Sequence, residues 1–289
     1  MKKARPEWSG LFYGGALRSH FYPIVIYVAG SGVICFFSGM AKQKDFLAAV
    51  ASKFPSERMT FQKGVATFHP ESADEAAETV KLANQFQQKL FISGFANNID
   101  PTGKPFSDMV VVRTDRLNRL EEIAPEDFYV RAGTGYPLHE INKRLSQQGL
   151  YFPHAALPYV GSVGGAVAVN VSAALEKHDL PIKRFLIQAT LVTPEGEIIT
   201  PGSVSFKSVS GYDIVKILAP SWGLLGLIVS ATFRIMPISA AEEYRNMRMK
   251  ETVRERFLAG FDESNQDTDA VYCRKIKNRF DPAGVLPIV

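Results

Sequence analysis

Residues 157–172, LPYVGSVGGAVAVNVS, carry the most informative pattern of this chain, because small residues interrupt a run without charge. The charge-free run extends from Ala155 to Leu175, yet Pro158, Asn170 and the cluster Gly161-Ser162-Val163-Gly164-Gly165 make it a poor membrane span. Glycines clustered in an apolar run usually mean that the backbone is pressed close against something else. The main functional question is therefore which group, a ligand or another part of the protein, packs against this backbone.

Two more clusters of small residues have the same character, and each follows a predicted strand. The first is Ser93-Gly94-Phe95-Ala96-Asn97-Asn98, and the second is Gly211-Tyr212-Asp213, which leads to Gly223-Leu224-Leu225-Gly226. Small residues there let backbone N–H groups approach an anion such as a pyrophosphate. Behind the 161–165 cluster, residues 166–169 can begin a short buried helix whose N-terminus would face a phosphate. Turns and tight packing explain any one cluster equally well, but three similar clusters favour a ligand cradle.

The sequence around these clusters alternates short strands with helices. A capping box, Ser72 to Glu75, predicts the start of one helix, and Pro137 and Gly149 bound a second. The predicted strands are Leu90–Ile92, Met109–Val112, Tyr129–Arg131, a hairpin of residues 185–193 and 197–200, and Leu227–Met236. A βαβ-like unit followed by antiparallel strands predicts an α+β architecture in two lobes.

Composition and motif searches exclude several function classes. The chain has 289 residues, 46% apolar and 21% charged, with a net charge of +4, which is typical of a globular protein without a nucleic-acid footprint. The cysteines, Cys35 and Cys273, lie too far apart in sequence to indicate a disulfide framework or a metal site. Signatures of P-loop ATPases, zincins and serine hydrolases are absent, and no G-x-G pair has the third glycine of a dinucleotide turn.

From about Gly64 to Pro237 the sequence resembles the FAD-binding domain of the vanillyl-alcohol oxidase and p-cresol methylhydroxylase (PCMH-type) family, in particular the FAD-binding subunit of glycolate oxidase. The resemblance rests on HPESADEAAETVKLAN (69–84), FISGFANNI (91–99), the 157–172 stretch, LVTPEGEIITPG (191–202), SVSGYDIVKILAPSWGLLGLIVSATFRIMP (208–237) and, near the C-terminus, NRFDPAGVLP (278–287).

This resemblance implies a two-lobed, PCMH-type FAD-binding domain over residues 41–237 and assigns cofactor contacts within it. The 93–98 loop would wrap the pyrophosphate, the 161–165 cluster would follow the pyrophosphate towards the isoalloxazine, and Tyr212 and Asp213 would lie near the flavin. Residues 223–228 would close over the adenosine half. The residues expected to bind FAD are Ser93, Gly94, Phe95, Ala96, Asn97, Asn98, Gly161, Ser162, Gly164, Gly165, Gly211, Tyr212, Asp213, Gly223, Gly226 and Ile228.

The first loop departs from the family pattern. Ser93 and Phe95 replace two glycines, and Phe95 would be strained if its φ were positive. Members that bind flavin covalently place a histidine or cysteine at the flavin, and the 93–98 loop contains neither. The resemblance therefore implies FAD held without a covalent bond.

Residues 238–289 are too few for the substrate domain that follows in similar oxidoreductases, so a much reduced, helical C-terminal cap is expected. His154, Arg184, Lys207 and Tyr212 are the polar groups nearest the flavin motifs, but each is better explained as structural, and no catalytic residue is assigned. The resemblance implies an FAD-dependent oxidoreductase subunit that oxidises a small 2-hydroxy acid beside an iron–sulfur or second flavin subunit. The alternative is a non-catalytic scaffold subunit that keeps the fold.

The first forty residues differ from the rest. Phe21 to Met40 contains no charged residue and, as a helix, can just cross a bilayer, although Pro23 and three glycines weaken that helix. A membrane anchor, a signal sequence and a non-native extension all fit this segment. The sequence predicts a cytoplasmic protein and leaves open its association with a membrane through residues 21–40.

Overall fold

The computed structural model describes residues 24–29, 32–37, 41–158, 161–175, 178–204, 214–244 and 246–289. Two compact units divide the chain, Met1–Ser38 and Gly39–Val289. In the first unit, β1 (Ile24–Ala29) and β2 (Gly32–Phe37) pair antiparallel, so these apolar residues form strands and not the helix that the anchor interpretation requires. Nowhere in the described ranges is a helix both long and apolar enough to cross a bilayer.

The second unit combines short helices with several small sheets. Its helices are α1 (Ala41–Lys53), α2 (Ala73–Phe86), α3 (Ile141–Leu145), α4 (Val163–Ala168), α5 (Arg254–Leu258) and α6 (Thr268–Phe280). Its strands are β3 (Met59–Gln62), β4 (Val65–Phe68), β5 (Lys89–Ser93), β6 (Met109–Arg113), β7 (Leu120–Ala124), β8 (Tyr129–Gly133), β9 (Leu150–Tyr151), β10 (Ser172–Leu175), β11 (His178–Pro181), β12 (Leu186–Val192), β13 (Ile198–Ile199), β14 (Leu227–Arg234), β15 (Met236–Pro237) and β16 (Arg248–Met249).

A four-stranded mixed sheet begins this unit, in the order β3-β4-β6-β5. Strands β4, β6 and β5 are parallel, and α2 provides the crossover from β4 to β5. The Ser72 half of the predicted capping box is present, since Ser72 Oγ accepts a hydrogen bond of 3.1 Å from the Glu75 amide at the start of α2. The Glu75 carboxylate accepts from the Glu71 amide, at 2.8 Å, in place of the Ser72 amide. Apolar residues of α1, α2 and the sheet form one core, which includes Phe46, Val80 and Val110. The carboxyl ends of parallel strands meet at one edge, where ligands commonly bind.

A five-stranded antiparallel sheet follows, in the order β13-β12-β14-β8-β7, and the predicted hairpin is its β12–β13 edge. A second core lies against this sheet and includes Val163 of α4, Ile141 of α3 and Phe233 of β14. Two smaller sheets, β9 with β15 and β10 with β11 and β16, complete the unit. Mixed α and β structure with separate cores agrees with the predicted α+β class.

Two helix predictions need correction. The helix expected between Pro137 and Gly149 is only the five residues of α3, flanked by 3₁₀ turns at Leu138–Glu140 and Ser146–Gln148. The helix expected at residues 166–169 begins earlier, at Val163, because Ser162 caps it by accepting the Gly165 amide at 3.1 Å. Gly164 and Gly165 are therefore inside α4, and Gly161 precedes it.

Candidate functional site

A cleft of about 390 Å³ lies where β5 and β6 end. The 93–98 loop continues from the end of β5, Thr114 follows the end of β6, and α4 forms another wall. This is the edge at which the parallel strand order favours a ligand site. Sequence patterns far apart in the chain thus converge on one concave surface.

All of the predicted site residues that the structure describes line this cleft. They are Ser93, Gly94, Phe95, Ala96, Asn97, Asn98, Gly161, Ser162, Gly164, Gly165, Gly223, Gly226 and Ile228. Gly211, Tyr212 and Asp213 lie outside the described residues, as does Lys207. The assignment of the lining residues to parts of FAD stays a prediction.

The glycine clusters contact one another directly. A Cβ added to Gly94 would stand 2.7 Å from Ser162 Oγ, and one added to Gly161 would stand 2.9 Å from Asn97 Nδ2. The third cluster approaches β5, since a Cβ on Gly223 would lie 3.2 Å from Cβ of Ile92. Close backbone approach is therefore the reason for small residues at these positions.

The two glycines at the start of α4 have different surroundings. A Cβ on Gly164 would lie 1.5 Å from Thr134 Oγ1, so this residue must be glycine for the helix to pack on β8. A Cβ on Gly165 would meet only Ser162 Oγ, at 3.1 Å, and otherwise open space. Gly165 therefore leaves space for a ligand in the cleft, whereas Gly164 allows close packing against Thr134.

The 93–98 loop presents unpaired amides. Within the described part of the chain, the backbone N–H groups of residues 95–98 donate to no other group. Unpaired N–H groups in a turn suit an anionic ligand, because each one gains a hydrogen-bond acceptor. The expected strain at Phe95 is displaced by one residue, since Ala96 has the positive φ, 62°. The loop therefore has backbone donors available for an anionic ligand.

A polar network supports this loop from behind. Arg113 Nη2 donates to the Phe95 carbonyl at 3.4 Å, and Arg113 Nε lies 3.6 Å from the Asp115 carboxylate. Asp115 Oδ1 in turn lies 2.8 Å from His69 Nδ1. Burial alone would raise the pKa of Asp115, but the hydrogen bond with His69 and the charges of His69 and Arg113 hold it below its usual value. A charged Asp115 therefore holds Arg113 beside the loop.

Sequence reasoning missed the wall formed by the C-terminal segment. Met249, Lys250, Glu251 and Thr252 line the cleft, and so does Trp222. Lys250 and Glu251 are its charged residues within the described lining. No local pattern could have indicated them, because they reach the cleft through the pairing of β16 with β10.

Neither His154 nor Arg184, two of the polar candidates, lines the described cleft, and Arg184 is exposed. His154 is buried, its Nε2 lies 2.9 Å from the Leu180 carbonyl, and desolvation lowers its pKa to about 4. His139 and His178 are exposed, and neither lines the described cleft. No group of three or more metal-binding side chains occurs in the described ranges. Among these residues the cleft is the candidate site.

Comparison with known proteins supports a flavin site. Residues 65–202 match the family model described as "FAD binding domain". A D-lactate dehydrogenase of Archaeoglobus fulgidus is 26% identical over 58% of this chain and 38% of its own length. The glycolate oxidase subunit GlcD of Bacillus subtilis is 22% identical over 60% of this chain and 37% of its own length. The chain therefore spans little more than a third of these relatives.

Solved structures show the same fold. p-Cresol methylhydroxylase with bound substrate superposes with a TM-score of 0.53 at 12% identity, covering 69% of this chain and 44% of the other. Identity this low supports the fold alone. The PCMH-type architecture expected from the sequence is thus shared with known structures.

Proposed function

We propose that this chain, whose residues 65–202 are an FAD binding domain, holds FAD non-covalently in the cleft and acts as a subunit of an FAD-dependent oxidoreductase. The observation that carries the proposal is the convergence of three glycine clusters and four unpaired loop amides on one cavity. Bound FAD would accept two electrons from a substrate and release them singly. The chain's own residues bind and orient it.

Different parts of the cleft lining would bind different parts of FAD. The amides of residues 95–98 would bind the pyrophosphate, with Arg113 holding the loop in place from behind. The 161–165 cluster would run along the pyrophosphate towards the isoalloxazine, while Gly223, Gly226 and Ile228 would contact the adenosine half. The described lining contains neither histidine nor cysteine, the residue types that bind flavin covalently, and this supports a non-covalent complex.

A small 2-hydroxy acid is the proposed substrate, oxidised at a site shared with another subunit. The names of the D-lactate and glycolate relatives support this substrate class. Oxidation of a hydroxyl by flavin needs a general base, which we assign to a partner, such as an iron–sulfur or second flavin subunit. The two-lobed arrangement of the domain belongs to the same proposal.

Flavin retention by the full chain tests the proposal. The purified protein should show a flavin absorption spectrum, and acid precipitation should leave the chromophore in the supernatant. A colourless protein that takes up no added FAD would contradict the proposal and favour the scaffold alternative.

Gly165→Leu provides the matched test of the site. Its side chain would extend into the cleft, so FAD affinity should fall by at least about tenfold, or ~1.4 kcal/mol. Gly260→Ala is the control, because the added Cβ would make only an ordinary 3.7 Å contact with Cys273 Sγ outside the cleft. Equal FAD affinity in the two variants, measured by titration of the apo-proteins, would refute the assignment of this cleft.

A further inference from the structure

The C-terminal segment reaches across the cleft as a strap, defined as residues 246–258. Its β16 pairs with β10 through Ala174 with Arg248 and Ala173 with Met249. The next residue, Lys250, donates its amide to the Ser172 carbonyl at 2.9 Å. This end of the strap is therefore attached to β10, the strand that follows α4 in the chain.

The far end of the strap lies near β5, since Arg254 and Leu258 line a small cavity together with Phe91 and Ile92. The ring of Phe257 packs on Trp222, which lines the cleft, with centroids 6.1 Å apart. Arg254 Nη2 donates to the Val289 carbonyl. Between the two attachments, residues 249–252 form part of the cleft wall.

The strap is weakly held compared with the cores beneath it. Only two residue pairs join β16 to β10, and Met249 is 42% exposed. The ion pair between Lys250 and Asp179 joins side chains that are 46% and 56% exposed, so it adds little. Segments with few buried contacts and exposed hydrogen bonds open locally while the rest of the fold persists.

We propose that this strap closes the cleft over bound FAD, so that the dinucleotide enters and leaves only when β16 separates from β10. This inference rests on the proposed function, since it concerns the same cleft. Residues 249–252 are then positioning residues that retain the cofactor, and the chain supplies them from its own C-terminal segment. Pinning the strap should trap FAD, and loosening it should release FAD faster.

A disulfide between Ala174→Cys and Arg248→Cys would pin the strap without altering the described cleft lining. Opposite residues of antiparallel strands alternate between hydrogen-bonded and non-hydrogen-bonded pairs. Since Lys250 bonds to Ser172, positions 174 and 248 form the next hydrogen-bonded pair, with Cα atoms about 5.5 Å apart, which is within the Cα–Cα range of disulfides. The double variant would be loaded with FAD while reduced and then oxidised. Flavin absorbance that stays with the protein after timed desalting gives the release rate.

Oxidation should slow FAD release by more than about tenfold, because it removes the locally opened state, and reduction should restore the original rate. The single variants Ala174→Cys and Arg248→Cys should respond to neither treatment. Equal release from the oxidised and reduced forms would overturn the proposal, as would failure of the disulfide to form. If the unmodified chain binds no FAD, the proposed function itself fails. If it binds FAD but release does not depend on the disulfide, only the strap proposal fails.

Phe257→Ala tests the strap from the opposite direction and does not depend on a disulfide. Phe257 is not among the described lining residues. Loss of its ring removes a contact with Trp222, which does line the cleft, so FAD release should become several-fold faster. Unchanged release from this variant would also overturn the proposal.

Discussion

Replacing Asp281 by alanine should destabilise the chain by about 3–5 kcal/mol, the usual cost of breaking a buried ion pair. The Asp281 side chain is 0% exposed and pairs with the Lys277 ammonium, whose side chain is 8% exposed. The same carboxylate accepts the amides of Val285 and Leu286, each at 2.9 Å. Its removal would leave a buried ammonium without a counterion and two amides without an acceptor. Burial already lowers the pKa of Lys277, so deprotonation or movement into water would limit the loss.

Urea unfolding of the full chain, followed by circular dichroism, gives the free energy of unfolding for each variant. A cycle of Lys277→Met, Asp281→Ala and the double variant separates the pair from its surroundings, and the double variant should lose less than the two single losses together. Glu78→Ala is the control, because its pair with Lys53 is exposed and should contribute at most about 0.5 kcal/mol. A loss below about 1 kcal/mol for Asp281→Ala would refute the buried-pair interpretation.

Further expectations concern other sites. Burial holds the pKa of His154 at about 4 in the folded chain, against 6.5 in the unfolded chain. Between these two pH values the unfolded chain binds more protons, so the free energy of unfolding should fall by about 3 kcal/mol from pH 6.5 to pH 4. In His154→Gln, the urea midpoint should change less over this pH range. Ala96→Gly should leave the free energy of unfolding unchanged or raise it by up to about 1 kcal/mol, because glycine adopts the positive φ without strain. Ala96→Val should lower the free energy of unfolding, because a β-branched residue is strained at that φ. Gly164→Ala should lower the melting temperature through its clash with Thr134, whereas Gly165→Ala should keep or raise it through helix propensity.

The features that the sequence predicts well are those that depend on neighbouring residues. The Ser72 cap and its helix need only a four-residue pattern, and α2 begins where that pattern stands. The small residues of the 93–98 and 161–165 clusters each follow a predicted strand or precede a helix. Because parallel strands end at one edge, clusters placed there converge on a cleft, which is why most of the site could be found without a structure.

The apolar N-terminal segment could not be predicted from hydropathy. A run without charge fits a helix across a bilayer and also a pair of apolar strands. Glycines at positions 30 and 32, which weaken the helix, also suit a turn between strands, and β1 and β2 flank residues 30–31. Periodicity does not separate these alternatives, because both faces of the segment are apolar.

The role of the C-terminal segment could not be predicted for a different reason. It depends on contacts with residues that are distant in the sequence. Asp281 fixes the end of the chain near Val285, whose carbonyl accepts the amide of Leu90 near the start of β5. The strap is joined to this end of the chain by Arg254, which donates to the Val289 carbonyl, while its residues 249–252 line the cleft. Loss of the Asp281 anchor should therefore lower stability and, through the Arg254–Val289 bond, also speed FAD release. Loosening the strap should change FAD release at nearly constant stability. If Asp281→Ala left FAD release unchanged, the Arg254–Val289 bond would not couple the two, and the anchor and the strap would act separately.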